Sequence, residues 1–235
     1  MNQLKKEALL FGVELNETQL SQFYTYYEML IEWNEKINLT AITDFDEVLK
    51  KHFLDSIAIG RILNQNDIIS ILDIGTGAGF PGIPIKIAFP NVEIILMDSL
   101  NKRVNFLNEV IEKLSLKKIS AMHGRAEDFA KKDLMREKFD LCVSRAVANL
   151  SSLSEFCLPY VKVGGRFISY KSEKAKEELE ASKNAISILG GGNVICDEFS
   201  LPDTDFNRTF VIIEKIKETP GKYPRKAGTP IKQPL

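Results

Sequence analysis

Asp73-Ile74-Gly75-Thr76-Gly77-Ala78-Gly79-Phe80-Pro81-Gly82 is the stretch on which the fold turns. Residues 68–74 form a nearly continuous apolar run, as expected of a strand buried on both faces of a parallel sheet. Four glycines within residues 75–82 then let the backbone take positive φ and approach a ligand closely. A short helix reaching about Phe89 completes a strand, turn and helix.

Downstream the pattern repeats. Residues 92–97, 117–122, 139–143 and 161–170 read as further strands, with helices over 100–114, 150–158 and 172–188 and two last strand-like pieces at 194–199 and 209–214. This alternation predicts an α/β fold with a doubly wound, mostly parallel sheet. Upstream no strand pattern appears before Ile68, and three helical segments are expected. Asn16 with Gln19 makes a capping pair opening a helix to roughly Trp33, its apolar stripe being Leu20, Phe23, Tyr24, Tyr27, Leu30 and Ile31. Asp44 with Glu47 opens another, leading to Val48, Phe53, Leu54, Ile57 and Ile59. The expected division is a helical cap over 1–66, a ligand-binding α/β domain over 67–215 and an extended, basic, Pro-rich tail over 216–235.

With 44% hydrophobic and 27% charged residues over 235 positions, the chain is neither disordered nor fibrous. No apolar run reaches the ~18 residues of a membrane helix, and the charged start suggests no signal peptide. Cys142, Cys157 and Cys196 show no CxxC spacing and read as reduced residues of a cytoplasmic protein. Two isolated histidines make a metal site unexpected, and the roles of His52 and His123 stay open. The net charge of -1 hides an asymmetry. Residues 1–70 carry 6 Lys+Arg against 11 Asp+Glu, and residues 215–235 carry 6 against 1. A basic tail on a neutral protein suits a polyanionic partner.

Gly77-x-Gly79-x-x-Gly82 matches a dinucleotide-binding pattern, and chemistry must decide what it holds. A pyrophosphate needs N–H donors at the helix start; Pro81 and Pro84 remove two of them, and the Asp73 carboxylate would repel it. S-adenosyl-L-methionine has no phosphate, and its ammonium group suits that carboxylate. Asp98, 25 residues on at the end of the second strand, can accept both ribose hydroxyls. After the third strand, Glu127 and the Ala126 backbone lie where an adenine would rest. The cofactor-binding candidates from this reading are therefore the turn glycines Gly75 and Gly77, with Asp98, Ala126 and Glu127; Phe80 could pack against either the ligand or the core.

The fourth strand ends Val143-Ser144-Arg145-Ala146. It carries neither the Asn/Asp-Pro-Pro-aromatic turn common in exocyclic amine methylation nor a Pro-Cys turn that would attack a pyrimidine. A nucleophile needing no activation, such as guanine N7, fits these absences, and no catalytic residue is assigned. Arg145 could grip guanine O6, a phosphate or the methionine carboxylate. Lys102, Arg145, Lys171 and Arg208 are the candidates for meeting RNA.

The chain resembles the bacterial small-subunit rRNA guanine-N7 methyltransferases called RsmG, or GidB. The matching pieces span almost its whole length. They include Glu32-Trp33-Asn34-x-x-Ile37-Asn38-Leu39-Thr40-Ala41-Ile42, His52-x-x-Asp55-Ser56, and the glycine-rich stretch continued through Ile83-Pro84. Asp98-Ser99-x-x-Lys102-Arg103, Arg125-Ala126-Glu127, Ser144-Arg145-Ala146 and Tyr223-Pro224-Arg225-x-x-Gly228-x-Pro230 complete them. The resemblance implies a class I methyltransferase (Rossmann-like) fold with an N-terminal helical cap. It further implies cofactor contacts at Gly75, Phe80, Ala126, Glu127 and Arg145, and methylation of guanine N7 in a loop of 16S rRNA, free or in the 30S subunit. The alternative is a methyltransferase of the same class acting on a small molecule or protein. Oligomeric state and the exact nucleotide are not legible.

Overall fold

The computed structural model describes residues 1–130, 134–145, 148–172 and 174–235. In chain order the elements are α1 (Asn2–Ala8), α2 (Glu17–Ile37), α3 (Phe45–Val48), α4 (Asp55–Ile57), β1 (Ser70–Ile74), α5 (Gly82–Ala88), β2 (Glu93–Asp98), α6 (Asn101–Lys113) and β3 (Ile119–His123). Then come α7 (Ala126–Phe129), β4 (Phe139–Arg145), α8 (Leu150–Cys157), β5 (Val161–Lys171), α9 (Ala175–Ile188), β6 (Gly191–Ser200), β7 (Asn207–Lys215) and α10 (Thr229–Lys232). The seven strands are ordered β3-β2-β1-β4-β5-β7-β6. β2–β3, β1–β4 and β4–β5 pair in parallel, whereas β7 pairs antiparallel with both β5 and β6. This is the expected mostly parallel α/β fold. Residue 173 of the helix expected over 172–188 lies outside the described residues, as does Ala146.

The chain divides into two compact units, residues 1–69 with 76–123, and residues 70–75 with 124–235. In the first, the N-terminal helices share a core with α5, α6, β2 and β3. The capping box is present: Gln19 N donates to Asn16 Oδ1 at 3.0 Å and Asn16 N to Gln19 Oε1 at 2.9 Å. It launches a helix that runs to Ile37, past the expected end at Trp33. The buried stripe is Leu20, Phe23, Tyr26 and Leu30, whereas Tyr24 is exposed. Among three nearby tyrosines, the one three residues after Phe23 and four before Leu30 shares their face. Tyr26 stacks with Phe53 and Phe106 at centroid separations of 5.4 and 6.5 Å and meets Phe80 tilted by 40° at 5.5 Å. Such pairs contribute about 0.5–1.5 kcal/mol each beyond area burial.

Lys86 of α5 is 3% exposed, and its Nζ donates to Pro90 O at 2.7 Å and Val92 O at 2.5 Å. Burial lowers its pKa from 10.5 to about 8. Below pH 8 the amine is charged in both folded and unfolded chains; between pH 8 and 10.5 the folded chain binds fewer protons, so its stability rises with pH. The stability difference between wild type and Lys86→Met should therefore shift in favour of wild type across that window and stay flat below it. Urea unfolding of both proteins from pH 7 to 10.5 checks the sign.

In the second unit α8 packs against α9, β4 and β5, and α9 against β6 and β7. Leu72 and Asp73 of β1 lie opposite Cys142 and Val143 of β4. Ser144 Oγ donates to Ile74 O at 2.8 Å, closing the carboxyl end of this strand pair. Cys142 and Cys157 are free and buried, and Cys196 is free and partly exposed. The last residues are held by hydrogen bonds to the rest of this unit. Arg136 donates to Tyr223 O at 2.8 Å and Pro220 O at 3.2 Å, Ser152 Oγ to Pro230 O at 2.7 Å, and Ser151 Oγ to Leu235 O at 3.0 Å.

Candidate cofactor and RNA site

In the first unit, the glycine-rich loop and the end of β2 come together. Asp98 is 3% exposed, and its Oδ2 accepts from Gly77 N at 2.9 Å. Its Oδ1 accepts from Leu100 N at 2.9 Å, and Arg103 Nη1 lies 3.4 Å from Oδ2. Ile83 N donates to Gly79 O at 2.8 Å and Ile85 N to Pro81 O at 3.1 Å. These loop and helix-start donors are engaged, one of them with an anion, so a phosphate would find a carboxylate where it needs N–H groups. Gly77 has φ of +62°, and a methyl group added there would meet nothing within 4 Å. The loop at this point is thus open enough for close approach.

Phe80 is buried beside the loop, and the His52 ring stacks on it at 4.5 Å with a 25° tilt. His52 Nε2 shares a hydrogen bond with Thr40 Oγ1 at 2.8 Å, and Thr40 N donates to Asn34 Oδ1 at 2.8 Å. The Asn-x-x-Ile-Asn-Leu-Thr segment and His52 therefore form one brace behind Phe80. His123 Nε2 lies 3.1 Å from Ser99 O. Lys102 is exposed on the first turn of α6.

In the second unit, Gly75 ends β1 with φ of +70°. Ala126 and Glu127 open α7, and Arg145 ends β4 opposite Tyr170 of β5. The buried phenol of Tyr160 donates to Ala126 O. Burial pushes its pKa up, so it stays a donor. Gly228 N, far along the chain, donates to Glu127 Oε1 at 3.0 Å. Of the RNA candidates here, Lys171 is turned inward, its Nζ donating to Ala148 O at 2.9 Å and to Glu178 Oε2 at 2.7 Å. The Arg208 guanidinium carbon lies 5.9 Å from the Phe206 ring centroid, beside a concavity of about 460 Å³ shared with Lys176 and Glu198.

Sequence reasoning missed Tyr26, Thr40, Tyr160 and Gly228 as supports. Two of them, Thr40 and Gly228, lie within the matching pieces Asn38-Leu39-Thr40 and Tyr223-Pro224-Arg225-x-x-Gly228-x-Pro230. The described residues hold no group of three or more His, Cys, Asp or Glu side chains that could bind a metal, and no helix long and apolar enough to cross a membrane.

A seven-stranded sheet of this order, with glycines after β1 and an acid ending β2, is that of the class I methyltransferases. Solved structures agree on the fold: TYW2 from P. horikoshii, in complex with MeSAdo, aligns with a TM-score of 0.54 at 16% identity, covering 69% of this chain and 62% of that one. A SAM-dependent methyltransferase from Aquifex aeolicus aligns with a TM-score of 0.51 at 18% identity over 72% and 94%. The family model described as rRNA small subunit methyltransferase G, GidB, matches residues 19–206. Ribosomal RNA small subunit methyltransferase G of Lachnoclostridium phytofermentans is 59% identical, covering 95% of this chain and 93% of its own. That of Clostridium perfringens is 52% identical over 99% and 97%. The chain belongs to the rRNA small subunit methyltransferase G family, and it is a methyltransferase.

Proposed function

We propose that this protein transfers a methyl group from S-adenosyl-L-methionine to N7 of a guanine in a loop of bacterial 16S rRNA, in the cytoplasm. The observation that carries the cofactor reading is the Gly77–Asp98 hydrogen bond. It sets a carboxylate against the glycine loop, which suits a cationic, phosphate-free nucleoside and opposes a pyrophosphate. Bound S-adenosyl-L-methionine supplies a methyl group made electrophilic by its sulfonium. On this reading Gly75, Gly77 and Phe80 shape the methionine and ribose seat, Asp98 accepts the ribose hydroxyls, and Ala126 and Glu127 meet the adenine. Arg145 holds guanine O6, a phosphate or the methionine carboxylate.

Guanine N7 has an in-plane lone pair and no proton to lose, so no general base is required. The protein's work is to hold nitrogen, methyl and sulfur in line, the proximity contribution to rate. A looped base can be splayed from its stack to reach such a pocket. Mass-spectrometric mapping of 7-methylguanine in 16S rRNA with and without the protein tests the assignment; an unchanged map overturns it.

Lys102 tests the RNA partner against a small-molecule substrate. Lys102→Glu should weaken binding of small-subunit RNA by about 10-fold and lower the slope of log affinity against log salt by roughly 0.7–0.9. S-adenosylhomocysteine affinity should not change. Filter binding at several salt concentrations, with calorimetry for the nucleoside, gives both readings.

A further inference from the structure

The segment Tyr223-Pro224-Arg225-x-x-Gly228-x-Pro230 is not used by the site described above, yet one of its amides reaches that site. Gly228 N donates to Glu127 Oε1 at 3.0 Å across 101 positions of sequence. What holds Gly228 there is a built anchor. Glu155 is 0% exposed, and its carboxylate takes Arg225 N at 2.7 Å, Arg225 Nε at 3.0 and 3.1 Å and Arg225 Nη2 at 2.6 Å. The guanidinium fork matches the carboxylate in a way a lysine ammonium would not. Arg225 Nη2 also donates to Gln233 O at 2.8 Å, and Ser152 Oγ caps Pro230 O, so the chain is pinned on both sides of residue 228. Gly228 itself has φ of +82°, with nothing within 4 Å of an added methyl group. Glycine is thus required by the turn that aims its N–H and not by crowding.

We infer that the C-terminal segment is a positioning element of the cofactor site: Arg225, docked on Glu155, presents the Gly228 amide that fixes the Glu127 carboxylate for the incoming nucleoside. The inference rests on the reading of Glu127 as a cofactor contact. One oxygen of Glu127 is oriented by the tail, which leaves its other oxygen to meet the ligand. Tyr160 holds the neighbouring Ala126 carbonyl. A carboxylate held in place before binding loses less side-chain freedom when the ligand arrives.

The test is a set of affinities for S-adenosylhomocysteine by calorimetry, with thermal melts as fold control. The proteins are the full chain, a chain ending at residue 227, Glu127→Gln, and the truncation combined with Glu127→Gln. Truncation should weaken binding about 10-fold in the wild-type background and have almost no effect once Glu127 is Gln, because the two changes remove one arrangement. Combined with Asp98→Asn, the same truncation should keep its full 10-fold effect. A merely structural tail would weaken all backgrounds alike, and that result overturns the inference. So does a truncated chain that binds as tightly as the full one. If the truncated chain does not melt cooperatively, Arg225→Lys in the full chain replaces it, with an expected loss of about 3-fold that vanishes in Glu127→Gln. A full chain that fails to bind S-adenosylhomocysteine sinks the cofactor reading itself. Normal binding by Glu127→Gln sinks the assignment of that residue, and the tail's role with it.

Discussion

Asp98→Ala is expected to weaken S-adenosylhomocysteine binding by about 100-fold or more while the α/β sheet still forms. The carboxylate holds the loop through Gly77 N and the start of α6 through Leu100 N, both at 2.9 Å. A carboxylate offers about four lone-pair positions; Gly77 N and Leu100 N take two, and two ribose hydroxyls can take the others where the long 3.4 Å contact from Arg103 gives way. Each hydrogen bond to a charged group contributes roughly 1.5–3 kcal/mol. Losing two in the complex is therefore worth about 3 kcal/mol or more, and every 1.4 kcal/mol is tenfold. Asp98→Asn keeps the shape but only one acceptor oxygen and no charge, and should fall between the two. Calorimetric titration of the three proteins, with melts alongside, measures this. Equal affinities would show that the β2 carboxylate has no part in holding the nucleoside.

The second large effect separates two neighbouring glycines. At Gly79, φ is +99°, and an added Cβ would lie 2.6 Å from Ile83 Cδ1 and 2.8 Å from the Tyr26 hydroxyl. Backbone strain and overpacking against a buried aromatic then act together, and Gly79→Ala should cost about 3 kcal/mol of stability. At Gly77, φ is +62° and the added Cβ meets nothing within 4 Å. Gly77→Ala should cost only about 1–2 kcal/mol for the left-handed backbone. Its larger effect should fall on binding, a loss of about 10- to 100-fold, because the methyl group enters the space read here as the ligand's. Denaturant unfolding ranks the stabilities and titration ranks the affinities. A Gly77→Ala protein that binds like wild type would show that the open space beside this residue is not where the ligand sits.

Much of this was legible before any coordinates. Short apolar runs and helical periodicity located every strand and the main helices, because those signals act over a few residues. The Asn16–Gln19 box and the Asp44 cap are hydrogen bonds spanning three positions, written in side-chain type. The glycines and prolines of residues 75–84 determine what their own backbone can donate and which φ it can adopt. Prediction went astray where two side chains competed for one face, as when Tyr26, and not Tyr24, entered the aromatic cluster.

The rest was decided by contacts between residues distant in sequence. Nothing local marks β7 as lying between β5 and β6, since antiparallel insertion depends on which edge is free when the hairpin closes. Lys171 reads as a cation near a sheet edge, and only the tertiary placement of α9 supplies Glu178 as its partner. The brace of Thr40 and His52 behind Phe80 joins segments whose spacing has no helical or strand period. The tail reads as extended because prolines and lysines carry no periodic apolar face. It is ordered by a buried glutamate and a single arginine whose pairing no periodicity encodes, and whose hydrogen bonds exist only once the second unit has folded around them.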